Sequence, residues 1–272
     1  MNFMNEVITS CFDVRDYRIN AATNFPATYI CPVLIPIKNQ GTKPTCVAHA
    51  LASLVEYHNK VQTKKQNTFS TEFIYGLRDV GYYVGDGMMI RDGLNTICKY
   101  GDTYKKDCSG NNDVKQAMEN VSSRIDNLKD LAYPHRISAY YRCTTEDEIK
   151  TALLEHGPVV ASMNTYENAV IFNDQYIADD RSKSGRHCVL IVGWNNYGWL
   201  VHNSWGEGYA GDGKFTLPFD YKLNEAWGVT DNIVDDLESS IITKKTENKF
   251  TKILYIIYNK LANLWLKLVR KG

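Results

Sequence analysis

Apolar positions along this chain follow two different periods. Up to about residue 156 they recur at three- and four-residue spacing, as on helices with one buried face. Beyond Pro158 they gather in short, β-branched runs. The clearest early helix follows Thr45, where Val47, Ala50, Leu51, Leu54 and Val55 share a face. It is predicted over Cys46–His58, with Thr45 as its cap and Cys46 in its first turn. Shorter helices are predicted over Thr71–Asp79, Gly93–Tyr100 and Asp113–Ser123. A better-marked one is predicted over Thr145–His156, which Thr145 caps, acids open and Gly157-Pro158 ends. Strands are predicted over Val159–Met163, Cys188–Trp194, Trp199–His202 and Phe215–Leu217, with Asn195–Gly198 making a hairpin of the middle pair. Residues 1–30 read as extended, Cys31–Ile37 as an irregular or edge segment, and Lys38–Pro44 and Gly81–Gly93 as loops. Helices first and strands second predict an α+β chain.

A helical period returns near the end. From Phe250, apolar residues fall at 250, 253, 254, 257, 258, 261, 264, 265 and 268. Lys252, Asn259, Lys260, Asn263, Lys267 and Arg270 share one arc, with Ile256 as its apolar exception. This predicts a basic amphipathic helix over 250–271 behind a linker at 236–249. From Lys244 to Gly272 there are eight Lys/Arg and one acid, Glu247, so the tail carries +7 and the rest −7. Three readings of the tail stand: a helix docked on its own domain, contact with an anionic membrane or other polyanionic surface, or a seat in a partner protein's groove. Lys260 in its middle argues against a spanning helix, which needs about 20 apolar residues.

Composition narrows the function classes. Hydrophobic residues at 44% and charged residues at 23% exclude a disordered or fibrous chain. A net charge of zero gives no global field toward nucleic acid. Seven cysteines without C-x-x-C spacing support neither a zinc ribbon nor a thioredoxin-like site, and no metal or cofactor is expected. The first residues, with Glu6 and no positive start, do not read as a secretory signal. The expectation is therefore an intracellular protein with reduced thiols, although Asn120-Val121-Ser122 is a sequon that points the other way.

Candidate chemistry centres on Cys46. A thiol attacks a carbonyl as thiolate, and the first turn of a helix favours that form. His187, at the mouth of the Cys188–Trp194 strand, is a candidate base. Asn203, returned toward it by the hairpin, could hold the imidazole. Gln40, on the loop feeding the helix, could join the Cys46 backbone N–H as an oxyanion donor.

These residues carry a resemblance. Gln40-Gly41, Cys46 opening a helix with Ala48 and Ala50, Gly185-Arg186-His187-Cys188, and Asn203-Ser204-Trp205-Gly206 with the glycines that follow resemble the papain-like cysteine peptidase family. The stretch Leu153–Val159 is similar to the same family, and the resemblance covers about residues 13–235, behind a lead-in at 1–12. It implies a helical left subdomain and an antiparallel, β-barrel-like right subdomain with the active-site cleft between them. It also implies a polypeptide substrate and a cysteine endopeptidase. Cys46 would be the nucleophile paired with His187 as thiolate and imidazolium; a thioester intermediate follows, with Gln40 in the oxyanion hole. Asn203 would orient His187, and Trp205 would cover that bond from water. A thiol transferase or amidase on the same fold, or a catalytically silent binding scaffold, are the alternatives.

The chain departs from the family at several places. Val47 stands where the family has Trp, Lys43 where many secreted members have a disulfide Cys, and Pro44-Thr45 where Gly-Ser is common. The glycine pair of the helical wall is matched only by Asp86-Gly87 or Asp92-Gly93, with Gly87 and Met88 the candidates for substrate contact. No long inhibitory propeptide precedes Cys46, which by analogy suits a bacterial or viral protein. His49, His202 and Cys188 read as structural. His58, His135 and His156 lack ligand partners at useful spacing. Cys98 and Cys108 are a candidate pair if the compartment is oxidising.

Overall fold

The computed structural model describes residues 7–231 apart from 12, 14, 15, 79–84 and 179–182. The chain divides into two units, residues 1–231 and 232–272. The second, with the linker predicted over 236–249 and the basic helix predicted over 250–271, lies outside the described residues.

Helices dominate the first half of the described chain and strands the second. A two-residue strand β1 (Val7–Ile8) and strand β2 (Tyr29–Ile30) precede α1 (Cys46–Thr63) and α2 (Thr71–Gly76). Strand β3 (Met88–Met89) leads directly into α3 (Ile90–Lys99), followed by α4 (Val114–Ser122) and α5 (Ile125–Ala132). Then come β4 (Ala139–Cys143), α6 (Glu146–Glu155), β5 (Val159–Tyr166), β6 (Val170–Phe172), β7 (Gln175–Ile177) and β8 (Lys183–Trp194). The last described strands are β9 (Gly198–His202), β10 (Lys214–Pro218) and β11 (Glu225–Thr230). The large sheet runs in the order β4-β11-β5-β8-β9-β10-β7-β6, with β2 on β8. Its pairs are antiparallel except β10 with β7. A separate pair joins β1 to β3 in parallel. No helix among the described residues is long and apolar enough to cross a membrane.

Helix α1 is the hub. It is buried from Cys46 to Asn59 and packs on β5, β8 and the helices α2 and α3. It runs a turn and more beyond the predicted end, because Lys64 adopts a left-handed conformation (φ 60°) and closes the helix on the Lys60 carbonyl. Asp113 and Thr145 cap α4 and α6 through their side chains, and Thr145 with Glu148 forms a full capping box. Thr45 does not follow this pattern. It occupies the cap position of α1, but its buried side chain makes no cap hydrogen bond. None of the cysteines is in a disulfide. Cys98 points its sulfur toward the Ser138 carbonyl and Cys108 sits beside Arg124, so the two are not bridged.

Candidate active site

His187 lies within β8, opposite Met163 of β5. The β8–β9 hairpin brings the chain back, and Asn203 follows directly on β9. Asn203 Oδ1 accepts a hydrogen bond of 2.7 Å from His187 Nε2, and a second, of 2.8 Å, from the Ser204 backbone N–H. Accepting from Nε2 fixes the ring's orientation and leaves Nδ1 as the outward nitrogen. That Nδ1 is buried and has no hydrogen-bond partner. Trp205 stacks on the imidazole, with ring centroids 4.2 Å apart and planes 24° from parallel, and is itself met edge-on by Tyr209. An indole face both shields the His187–Asn203 bond and favours a cationic ring.

Electrostatics oppose that cation in the structure as it stands. Burial lowers the His187 pKa from 6.5 to about 4, and the Asn203 hydrogen bond raises it only in part. A shift of that size corresponds to about 3 kcal/mol against protonation. An imidazolium here therefore needs an anion beside it, and a thiolate is the group that would supply one.

Gln40 is held from both sides. Its backbone N–H donates to the Ser204 carbonyl at 2.8 Å, and its side-chain Oε1 accepts from Ser204 Oγ at 2.7 Å. Its Nε2 donates to the Lys43 carbonyl at 2.9 Å, and its carbonyl accepts from Asn111 Nδ2 at 3.0 Å. With Oε1 engaged by Ser204, the amide turns its nitrogen to Lys43, three residues before α1 begins. An amide nitrogen carries two hydrogens, one of which Lys43 takes. Two residues earlier, the Lys38 ammonium meets the buried carboxylate of Glu56 on α1, which also accepts the Phe69 N–H at 2.8 Å. The loop is thus pinned to the helix that carries Cys46.

Two glycines let the Asn203–Trp205 segment lie against this loop. Gly206 adopts φ +85° and donates its N–H to the Lys38 carbonyl at 2.9 Å. Gly213, at φ +76°, offers its carbonyl to the Asn203 N–H, and a Cβ there would stand 2.6 Å from Ile37. Ser204, Asn111, Lys38 and Glu56 were not singled out from the sequence. Ser204 lies inside the quoted motif and was legible in principle. The other three are joined only by the fold.

Cys46 is the first residue of α1 and is fully buried, in the same apolar cluster as Met163 and Val189. Since Thr45 does not cap the helix, its side chain takes none of the first-turn N–H groups. On the helical wall Gly87 is buried just before β3. Gly93 is within α3, where a Cβ would strike Leu51, so it packs helices together and is not part of a wall. Met88 is fully buried with its methyl group against Gly93, in the core rather than on an open surface. Its neighbour Met89 lines a cavity of about 1370 Å³ together with Arg91, Asn95, Tyr140 and Trp227. His49 bonds the Thr45 carbonyl at 2.9 Å, and burial lowers its pKa to about 4. His202 bonds the Ile35 carbonyl at 3.0 Å. Cys188 is buried in the core.

The model of the papain family of cysteine proteases matches residues 28–234. An uncharacterized peptidase C1-like protein of Acanthamoeba polyphaga mimivirus is 26% identical over 243 residues, covering 77% of this chain and 73% of its own length. Mouse cathepsin K is 25% identical over 206 residues, which span 72% of this chain and 59% of the cathepsin. Among solved structures, xylellain, a cysteine protease from Xylella fastidiosa, superposes with a TM-score of 0.73 at 23% identity, over 85% of this chain and 97% of xylellain. With the match to the family model spanning most of the chain, this protein belongs to the papain family of cysteine proteases.

Proposed function

We propose that the protein is a cysteine endopeptidase that hydrolyses peptide bonds through a thioester on Cys46. The observation that carries this reading is the state of His187. One nitrogen is fixed by Asn203 beneath Trp205, and the other, Nδ1, makes no hydrogen bond and is left to take up a proton. His187 takes the Cys46 proton as the thiol engages it, and the resulting thiolate offsets the cost of charging the buried ring. The thiolate attacks the scissile carbonyl carbon. The Cys46 backbone N–H and the amide nitrogen of Gln40 hold the oxyanion that forms. His187 then gives its proton to the leaving amine, and water, deprotonated by the same ring, hydrolyses the thioester to release acid product and thiol.

Asn203 keeps His187 in the required tautomer, and Ser204 keeps Gln40 turned the right way. Gly87 offers backbone for an extended peptide on the helical wall, and Met89 is a better candidate than Met88 for side-chain contact there. The test is a peptide-library cleavage profile of wild type beside Cys46→Ala. Cleavage by wild type alone supports the reading, and cleavage by both or by neither removes it. Amide or transfer products without peptide hydrolysis would instead favour the amidase or transferase alternative.

A further inference from the structure

Two buried cysteines lie where α1 packs on the sheet. Cys188 follows His187 on β8 and stands opposite Ser162 of β5, which stands opposite Glu225 of β11. Residues opposite one another across a sheet share a face, and these three are buried. Helix α1 packs on β5 and β8. Cys46 at its start and Cys188 are both 0% exposed and belong to one apolar cluster. Burial, followed by a negative charge on Cys46 and one on Glu225, holds the Cys188 thiol well above its ordinary pKa. Cys188 therefore lies within the field of Cys46. The other buried cysteines have different neighbours. Cys31 bonds Tyr57 and Tyr29, the Cys143 sulfur points to the Glu148 carbonyl, and Cys108 receives the Arg124 guanidinium.

Neighbouring thiolates repel, so the pair ionises one sulfur at a time. Cys46 opens a helix and has His187 as its base, whereas Cys188 sits in the apolar core beside a carboxylate. The charge therefore settles on Cys46, and Cys188 stays a thiol. Only the thiolate reacts readily with a peroxide. The Cys46 sulfur attacks one peroxide oxygen, an S–O bond forms and the O–O bond breaks. The sulfur is oxidised by two electrons to sulfenic acid, and the departing hydroxide takes the His187 proton and leaves as water. A sulfenic acid carries no charge, so the repulsion that kept Cys188 protonated is gone. The Cys188 sulfur then attacks the Cys46 sulfur, an S–S bond forms, the S–O bond breaks, and the thiol proton leaves with the hydroxide as a second water.

We infer that Cys46 is a reversible oxidation site and that Cys188 is its resolving thiol, so that a peroxide converts the two into a Cys46–Cys188 disulfide. The inference rests on the proposed peptidase reading for the ionised state of Cys46, but its test does not need turnover. The full chain is treated with hydrogen peroxide near neutral pH, remaining thiols are blocked with iodoacetamide in denaturant, and the unreduced peptides are read by mass spectrometry, in wild type and Cys188→Ala. Wild type should yield a peptide joining Cys46 to Cys188. At the same dose Cys188→Ala should carry at least about fivefold more sulfinic acid at Cys46, because nothing intercepts the sulfenic acid. Dithiothreitol should restore a correspondingly larger share of the lost peptide turnover in wild type, each protein being compared with its own untreated sample. Equal sulfinic acid at Cys46 in the two proteins, a wild-type disulfide from Cys46 to a different cysteine, or no disulfide at Cys46 overturns the assignment. A Cys46–Cys188 disulfide in a protein that cleaves no peptide keeps the assignment and overturns the peptidase reading, whereas peptide cleavage without that disulfide overturns the assignment and leaves the peptidase reading intact.

Discussion

Replacing Asn203 with alanine removes the side chain that hydrogen-bonds the His187 ring. Its Oδ1 accepts from His187 Nε2 at 2.7 Å, and both residues are almost fully buried, so water does not readily take its place. A buried donor left without its acceptor costs about 1–3 kcal/mol. At tenfold per 1.36 kcal/mol, that range corresponds to a fall of about 5- to 150-fold in kcat/KM if the bond is maintained in the transition state. A second effect acts in the same direction. The Asn203 bond is what raises the His187 pKa against burial, so its loss makes imidazolium formation harder still. The assay is steady-state turnover of a fluorogenic peptide across pH 5–9, with thermal unfolding recorded on the same samples. Asn203→Asp restores an acceptor and should recover part of the loss. Turnover of Asn203→Ala within twofold of wild type, in a folded protein, would refute the assigned role of this hydrogen bond.

Further expectations follow from the same geometry. Gln40→Ala should lower kcat by about 10²–10³, as for other lost oxyanion donors. Ser204→Ala frees Gln40 Oε1 from its 2.7 Å bond and should cost about fivefold, for a bond worth about 1 kcal/mol; steady-state kinetics showing equal losses in the two variants would contradict this division. His49, His58 and His187 are each lowered from 6.5 to about 4 by burial. Each is therefore neutral when folded and binds a proton more readily when unfolded. Their contribution to stability is complete above pH 6.5 and is lost as pH falls toward 4, so the melting temperature should drop through that window, and a flat profile would contradict the assignment. Deleting residues 244–272 should abolish binding to anionic vesicles and leave peptide turnover intact; unchanged vesicle binding would exclude the tail as the contact.

The parts of the site that were legible in sequence are those set by local pattern. Cys46 opens a helix because an apolar face begins there. His187 and Asn203 meet because a short turn folds one strand on the next. What the sequence hid was long-range. Strand β11 is six residues long and pairs with β4 and β5, more than sixty positions away, so nothing near Trp227 announces it. Strand β1 meets β3 about eighty residues on, which is why the N-terminal lead-in read only as extended chain. In β3 successive side chains face opposite ways, so Met88 faces the core while Met89 lines the cavity. Thr45 has the chemistry of a cap, but its side chain makes no cap hydrogen bond. Lys38 and Glu56 looked like ordinary charges, and only folding makes them the brace beneath Gln40.

The account depends on His187 activating Cys46. An epoxysuccinyl inhibitor of thiol peptidases tests this most directly, applied to wild type, His187→Ala and Cys46→Ala with the modified residue located by mass spectrometry. Stoichiometric labelling at Cys46 in wild type, with a large loss of rate in His187→Ala and none at that position in Cys46→Ala, is the predicted result. Labelling that is indifferent to His187, or that is equal in wild type and Cys46→Ala, would contradict the account.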